Sequence, residues 1–198
     1  VIGGSKFSDR IGFLKSLLGR VDALLLGGAI AHSFLKARGG RSFGEEDNLA
    51  LARDFLARAE QARVDVVLPS DLVVADESDA RAGRIVSSTR VPDDLFVLDI
   101  GPETVQRFSE HLARARTVFW DGPMGAFISP ASSDGTVAIA KAVAAVRFGL
   151  TVASGREAAT ALDRAGATDR VTHISTSGLA ALEFMTGKKF PGLAALES

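Results

Sequence analysis

Short apolar runs that end in glycine, proline or a small polar residue recur along this chain, and helical patterns fill the intervals between them. The runs are "DALLLGG" (22–28), "VDVVLP" (64–69), "DLVVAD" (71–76), "LFVLDIG" (95–101), "TVFWDGP" (117–123), "GLTVASG" (149–155) and "VTHIS" (171–175). Each has the length of a buried strand and is closed by a turn residue. The intervals carry apolar residues at helical spacing. In 45–63, Leu49, Ala52, Phe55, Leu56 and Ala59 fall on one face, with acids at the front and arginines behind, as the helix dipole favours. The stretches 103–115, 135–146, 157–165 and 178–187 behave alike. Alternation of this kind predicts an α/β domain, a three-layer α/β/α doubly wound parallel sheet of about six strands, with 1–198 as a single domain. Ligands of such folds gather at the carboxyl ends of the strands. The polar and glycine-rich stretches fall there: 27–28, 99–102, 121–124, 154–157 and 175–178.

Composition narrows the function classes. The formal net charge is −1 and no long basic run occurs, which argues against a nucleic-acid partner. No apolar stretch approaches the ~20 residues that span a bilayer, so no membrane partner is expected. The chain has no cysteine, hence no disulfide or thiol chemistry, which suits a reducing compartment. The expected location is intracellular and cytoplasmic first, with an organelle left open. The sequence opens at Val1, directly on "VIGG", and reads as the interior of a larger protein. His32, His111 and His173 have no metal-ligand spacing; His173 is expected to pack inside the last strand and His111 to lie on an exposed helix face. Trp120 is expected in the core or a pocket wall. No Walker A motif, nucleophile elbow or Gly-x-Gly-x-x-Gly fingerprint is present.

The stretch "VTHISTSGLAALEF" (171–184) reads as a strand, a Ser-Thr-Ser-Gly turn and a helix, the arrangement that binds phosphate at a helix N-terminus. The stretches "VIGGSKFSDRIGFLKSLLGRVDALLLGGAIAHSFLKARG" (1–39), "LPSDLVVADE" (68–77), "LDIGPETV" (98–105), "VFWDGPMGAF" (118–127) and "HISTSGLAALEFMTGKKFPGLAAL" (173–196) together resemble the nucleotide-binding, C-terminal half of the phosphoglycerate kinase family. Order and spacing match over essentially the whole chain. The family's N-terminal, substrate-binding half is absent from this sequence; that half, or other protein subunits, would be the expected partner.

The resemblance implies a site for Mg-ATP or Mg-ADP and phosphoryl transfer between 1,3-bisphosphoglycerate and ADP, chemistry that rests on positioning and charge stabilisation. By the same resemblance Lys6 contacts phosphates in the closed state, and Arg10 stands where a second phosphate-contacting lysine is usual. Gly27 and Gly28 would let adenine lie against the backbone. Leu98, Asp121, Pro123, Ser154, Gly155 and Arg156 fall at further nucleotide positions, and Gly178 with Ser177 forms the phosphate cradle.

Several of these positions depart from the family pattern. Val97 replaces a glycine beside the base, Ser78 an aromatic or apolar residue, and Asp121 an asparagine. Ile128 replaces the glutamate that binds ribose hydroxyls, a loss on the order of 1–3 kcal/mol. Arg156 replaces the aspartate that helps hold magnesium, and guanidinium cannot ligate that ion. Glu157 is adjacent, but a one-residue shift at a helix start is expected to point it elsewhere, so no metal ligand is assigned and Glu157 is only a weak candidate. Leu179 replaces a glycine of the cradle, where a left-handed or closely approached backbone would penalise it. Three readings follow, in this order: a degenerate, non-catalytic domain kept as a structural or interaction module; the nucleotide half of a divergent active kinase; and a metal-independent anion or nucleotide sensor in which Arg156 pairs with phosphate directly. Mg-ATP or Mg-ADP is the cofactor of the second, and none is expected of the first.

Overall fold

The structure is a computed structural model and describes residues 1–40, 47–76, 83–129 and 132–196. Strands β1 (Ala23–Leu25) and β2 (Asp65–Val67) pair in parallel, and so do β6 (Thr117–Asp121), β7 (Leu150–Ser154) and β8 (His173–Ser175), in that order. Residues 1–3 join the two groups. Ile2 bridges Leu26 on one side and Asp121 on the other, both in parallel. Its amide donates to the Leu25 carbonyl, its carbonyl accepts from Gly27, and the amides of Gly3 and Asp121 tie the same segment to β6. With that segment counted, the parallel sheet runs through six extended segments, as the sequence predicts.

Side chains leave this sheet in alternation. Leu24 and Leu26 enter one core and Leu25 the other; Val66 and Leu68 oppose Val67; Phe119 opposes Val118 and Trp120. On the first face lie α1 (Phe7–Leu17), α2 (Gly28–Ala37) and α3 (Asp47–Gln61), with Phe7, Phe34 and Phe55 in ring contact at 5.2 and 5.4 Å. The α3 residues Ala52, Phe55 and Ala59 are buried, matching the expected face, while residues 45–46 lie outside the described residues. The second face carries α4 (Pro102–Arg114), α5 (Asp134–Ala144) and α6 (Arg156–Arg164) through Phe108, Leu112, Ile139, Val143 and Leu162. Helix α7 (Gly178–Met185) returns to the first face with Leu182, and a short α8 (Pro191–Ala194) follows.

A second, antiparallel sheet holds β3 (Asp71–Ala75) between β4 (Arg84–Ser87) and β5 (Phe96–Ile100). The runs at 71–76 and 95–101 therefore belong not to the parallel series but to this antiparallel sheet, and β4 has no counterpart among the predicted strands. Its four residues are largely exposed, so no apolar alternation marks it.

Asp71 fixes the start of α4. Its Oδ2 accepts from the Glu103 amide at 3.0 Å and its Oδ1 from the Thr104 amide at 2.7 Å and the Thr104 hydroxyl at 2.6 Å. The Thr104 Oγ1 in turn accepts from the Ser70 and Asp71 amides. A side chain at Gly101 would run into that carboxylate, which is why the "IGPET" turn has glycine before its proline.

Asp99 plays the same part for α5. It is 1% exposed and accepts from the amides of Ile100 (2.9 Å) and Gly135 (2.8 Å). Burial pushes its carboxyl up to about 7, against the hydrogen bonds that favour the charged form. Between about pH 4 and 7 the folded chain then keeps a proton that the unfolded chain has released. Stability contributed by this group is greatest at the acid end of that window and falls as pH rises, by up to about 4 kcal/mol. Urea unfolding of the wild type and Asp99→Asn across pH 4.5–8 should show the wild type losing stability relative to the variant as pH rises. Parallel profiles would refute the assignment.

Candidate functional site

A cleft of about 780 Å³ opens at the carboxyl edge of the parallel sheet. Its floor is a crossing of three backbone segments, 3–4, 27–28 and 122–124. Gly4 donates to the Pro123 carbonyl at 3.0 Å and Gly28 to the Met124 carbonyl at 2.8 Å. Gly28 has φ +62°, and a Cβ there would sit within 3 Å of Gly4 and of the Pro123 oxygen. Gly27 is packed under Met124 and does not line the cleft. The "GG" pair thus answers first to backbone crossing, and only Gly28 of the two lines the cleft.

One end of the cleft is apolar, walled by Pro69, Leu72, Val97 and Ile100 from the region of the antiparallel sheet. The other end is polar, formed by Ser5, Arg10, Asp121, Gly155, Arg156, Glu157 and Gly178. Gly155 takes φ +90° at the head of α6, a conformation glycine accepts freely. Helices α2, α6 and α7 all begin at this cleft; the Gly28 and Ile30 amides of α2 are taken by the Met124 and Gly4 carbonyls, whereas the first-turn amides of α6 and α7 have no acceptor among the described residues. The contrast is with α4 and α5, whose first-turn amides are taken up by Asp71 and Asp99. Free first-turn amides and the positive helix end favour an anion.

Arg10 Nη1 lies 2.5 Å from Asp121 Oδ2. Asp121 is almost fully buried, and desolvation raises its carboxyl pKa; Arg10 pulls the other way, and nearby Glu157 adds to the rise. Glu157 itself lines the cleft, with its carboxylate close to Gly155. The expectation that it points elsewhere is therefore corrected: the second residue of α6 faces the cleft together with the first.

Of the residues singled out in the sequence, Arg10, Gly28, Asp121, Pro123, Gly155, Arg156 and Gly178 come together in the lining, while Lys6, Gly27, Leu98, Ser154 and Ser177 do not. Lys6 is exposed at the N-terminus of α1. Leu98 contributes its carbonyl to the Ala126 amide at 2.7 Å, holding the 122–128 loop. Ser154 is fully buried at the end of β7. At the cradle, none of Ser177, Gly178 and Leu179 has a positive φ, and Leu179 is exposed to solvent, 67%. The left-handed strain expected of that leucine does not arise. Val97 does line the cleft and Ile128 stands at its rim, 86% exposed. Ser78 lies outside the described residues. His173 is exposed, not packed, because β8 is the edge strand; His111 is half-buried, near Asp65; and Trp120 is buried with its indole donating to the Gly122 carbonyl at 2.9 Å. Sequence reasoning gave no ligand role to His32, Leu72, Ile100 or Phe127, all cleft residues; only their place at strand and helix ends could have flagged them. Among the described residues no group of three or more metal-ligating side chains occurs, and no helix is long and apolar enough to cross a membrane.

A parallel-sheet domain with open helix starts and two arginines at one end of its cleft and an apolar wall at the other belongs to the class of α/β domains whose cleft at the strand ends has the chemistry to receive an anion. Comparison with known proteins gives the particular family. A sequence model of phosphoglycerate kinase matches residues 1–188, and the chain belongs to the phosphoglycerate kinase family. Phosphoglycerate kinase from Anaeromyxobacter dehalogenans (strain 2CP-C) is 47% identical over 201 residues, covering 100% of this chain and 50% of its own length. Phosphoglycerate kinase from Thermus thermophilus is also 47% identical, with 52% of its length covered. The structure of phosphoglycerate kinase from Coxiella burnetii superposes with a TM-score of 0.89 at 38% identity, over 98% of this chain and 51% of that one. The chain thus spans about half the length of the curated relatives it matches.

Proposed function

We propose that this chain is the nucleotide-holding half of a phosphoglycerate kinase-type protein, in which Arg10, Arg156 and helix amides receive the phosphates and phosphoryl transfer is weak or lost. The observation that carries this reading is the contrast between helix starts. The first-turn amides of α2, α4 and α5 are taken up within the protein, while those of α6 and α7 open onto one cleft beside two arginines. The apolar end suits a base, although Val97 narrows it and Ile128 offers a ribose no acceptor. At the head of α6 a cation occupies the place where the family pattern has a magnesium-binding carboxylate. Direct arginine–phosphate pairing then replaces part of what the metal supplies, which is charge neutralisation.

A second reading, an active kinase half, is favoured by one observation: Glu157 faces the cleft. Magnesium bound to nucleotide phosphates needs as few as one or two carboxylates, and Glu157 would be its protein ligand. The substrate half of the family is the proposed partner under either reading. Leu179 and Phe184 on α7, Leu193 on α8 and Leu196 just after it are exposed apolar side chains that such a half would cover.

Calorimetric titration with ADP, with and without Mg²⁺, tests these readings. The expected result is binding without metal, changed less than about threefold by it, and Arg156→Asp making ADP binding about tenfold tighter with Mg²⁺ than without. Micromolar binding by the wild type only in the presence of Mg²⁺ would establish the kinase reading instead. Silence from a folded domain would leave a scaffold.

A further inference from the structure

Two substituted positions far apart in sequence meet at the polar end of the cleft. Arg10, on α1, lies against Asp121, the last residue of β6, at 2.5 Å. The carboxylate is 1% exposed and the guanidinium 21%. Yet the contact is misaligned: Arg10 Nη1 and Asp121 Oδ2 are both buried and neither has a hydrogen-bond partner among the described residues. A guanidinium engaged side-on would satisfy two donors at once. Here Nη1, the nitrogen that meets Asp121, has no aligned acceptor, although both residues line the cleft. The charged side chains facing Asp121 are Arg10 on the positive side and Glu157 on the negative.

We propose that Asp121 is a positioning residue and an internal competitor for Arg10. It draws the guanidinium to the cleft floor and offsets its charge, so a ligand phosphate is received there only when Arg10 exchanges carboxylate oxygen for phosphate oxygen. The Arg10 and Asp121 departures from the family pattern are then one coupled change. The inference uses the nucleotide reading for the identity of the ligand, but the exchange itself concerns any small polyphosphate.

The probe is inorganic pyrophosphate, titrated calorimetrically into the wild type, Asp121→Asn, Arg10→Gln and the double variant, with ADP in parallel. Asp121→Asn should bind pyrophosphate about five- to tenfold more tightly, the worth of one charge-assisted contact released. Arg10→Gln should bind it at least about tenfold more weakly, and Asp121→Asn should have no effect in that background. Equal affinities in the wild type and Asp121→Asn, or a gain that persists without Arg10, would overturn the proposal. Should the asparagine variant fail to fold, the Arg10 side-chain ¹⁵N resonances of the wild type decide. They should shift on adding pyrophosphate while those of Arg164, held over the Phe127 ring, stay put; an unmoved Arg10 overturns the exchange. The pyrophosphate pattern without ADP binding would sink the nucleotide reading alone. Equal ADP and pyrophosphate binding by the wild type and Asp121→Asn would sink only the exchange.

Discussion

Gly28→Ala should lower stability by about 3–5 kcal/mol, of which about 1–2 comes from a left-handed alanine and the rest from overpacking. Gly28 has φ +62°, and its missing Cβ would stand against backbone on two sides, Gly4 and the Pro123 carbonyl. Neither neighbour can swing away. Gly4 is hydrogen-bonded to Pro123, and Gly28 to Met124, so the crossing must open as a unit. A thermal shift of roughly 10 °C or more follows for a domain of this size. The same substitution should abolish ligand heats, since the crossing is the cleft floor. A melting temperature within about 3 °C of wild type would show that the crossing yields, and would sink the argument. Glycine at 187 makes a useful control: its φ is also positive, +84°, but nothing lies within 4 Å of an added Cβ.

Asp71→Ala is the second large effect. It removes the acceptor for two amides and one hydroxyl, all at the buried start of α4. Leaving those donors unpaired should cost about 3 kcal/mol. Asp71→Asn keeps one oxygen and should lose about half as much. Equilibrium urea unfolding measures both, and a loss below about 1 kcal/mol for alanine would mean that water replaces the carboxylate. The effect should reach the cleft, because Asp71 anchors β3 next to Leu72, and Gly101 next to Ile100, both in the apolar wall.

Local signals explain which parts of this fold are legible in the sequence. The parallel strands are short apolar runs bounded by turn residues, and the helices carry clear apolar faces, so 64–67, 117–121 or 102–114 declare themselves. The direction of β5 does not, since "FVLDI" reads the same in either sheet; its partner β3 decides, and that is a tertiary fact. Strand β4 is exposed and carries no pattern. At the site, residue types are informative and residue roles less so. Glycine at 27 announces close approach without saying to what, and the answer is Met124 rather than a ligand. Leucine at 179 would be strained in a left-handed turn, and the backbone makes none there. The partnership of Arg10 with Asp121 is invisible, since spacing along the chain says nothing of contact across the sheet.

The place of residues 1–3 has a consequence for how the chain is made. Residues 1–3 form the segment that joins the two halves of the parallel sheet, and one of the neighbours of Ile2, β6, lies more than a hundred positions downstream: the Val1 nitrogen reaches the Phe119 carbonyl across 118 residues. A ribosome delivers Ile2 long before it delivers residues 117–121. Until then one side of this apolar segment is a bare edge, of the kind that invites pairing with other chains. Completing the sheet also requires a long loop to close before the contact repays it, which slows folding. The most central strand of the protein is thus the one that waits longest during synthesis, and the partly made chain is where a chaperone has most to protect.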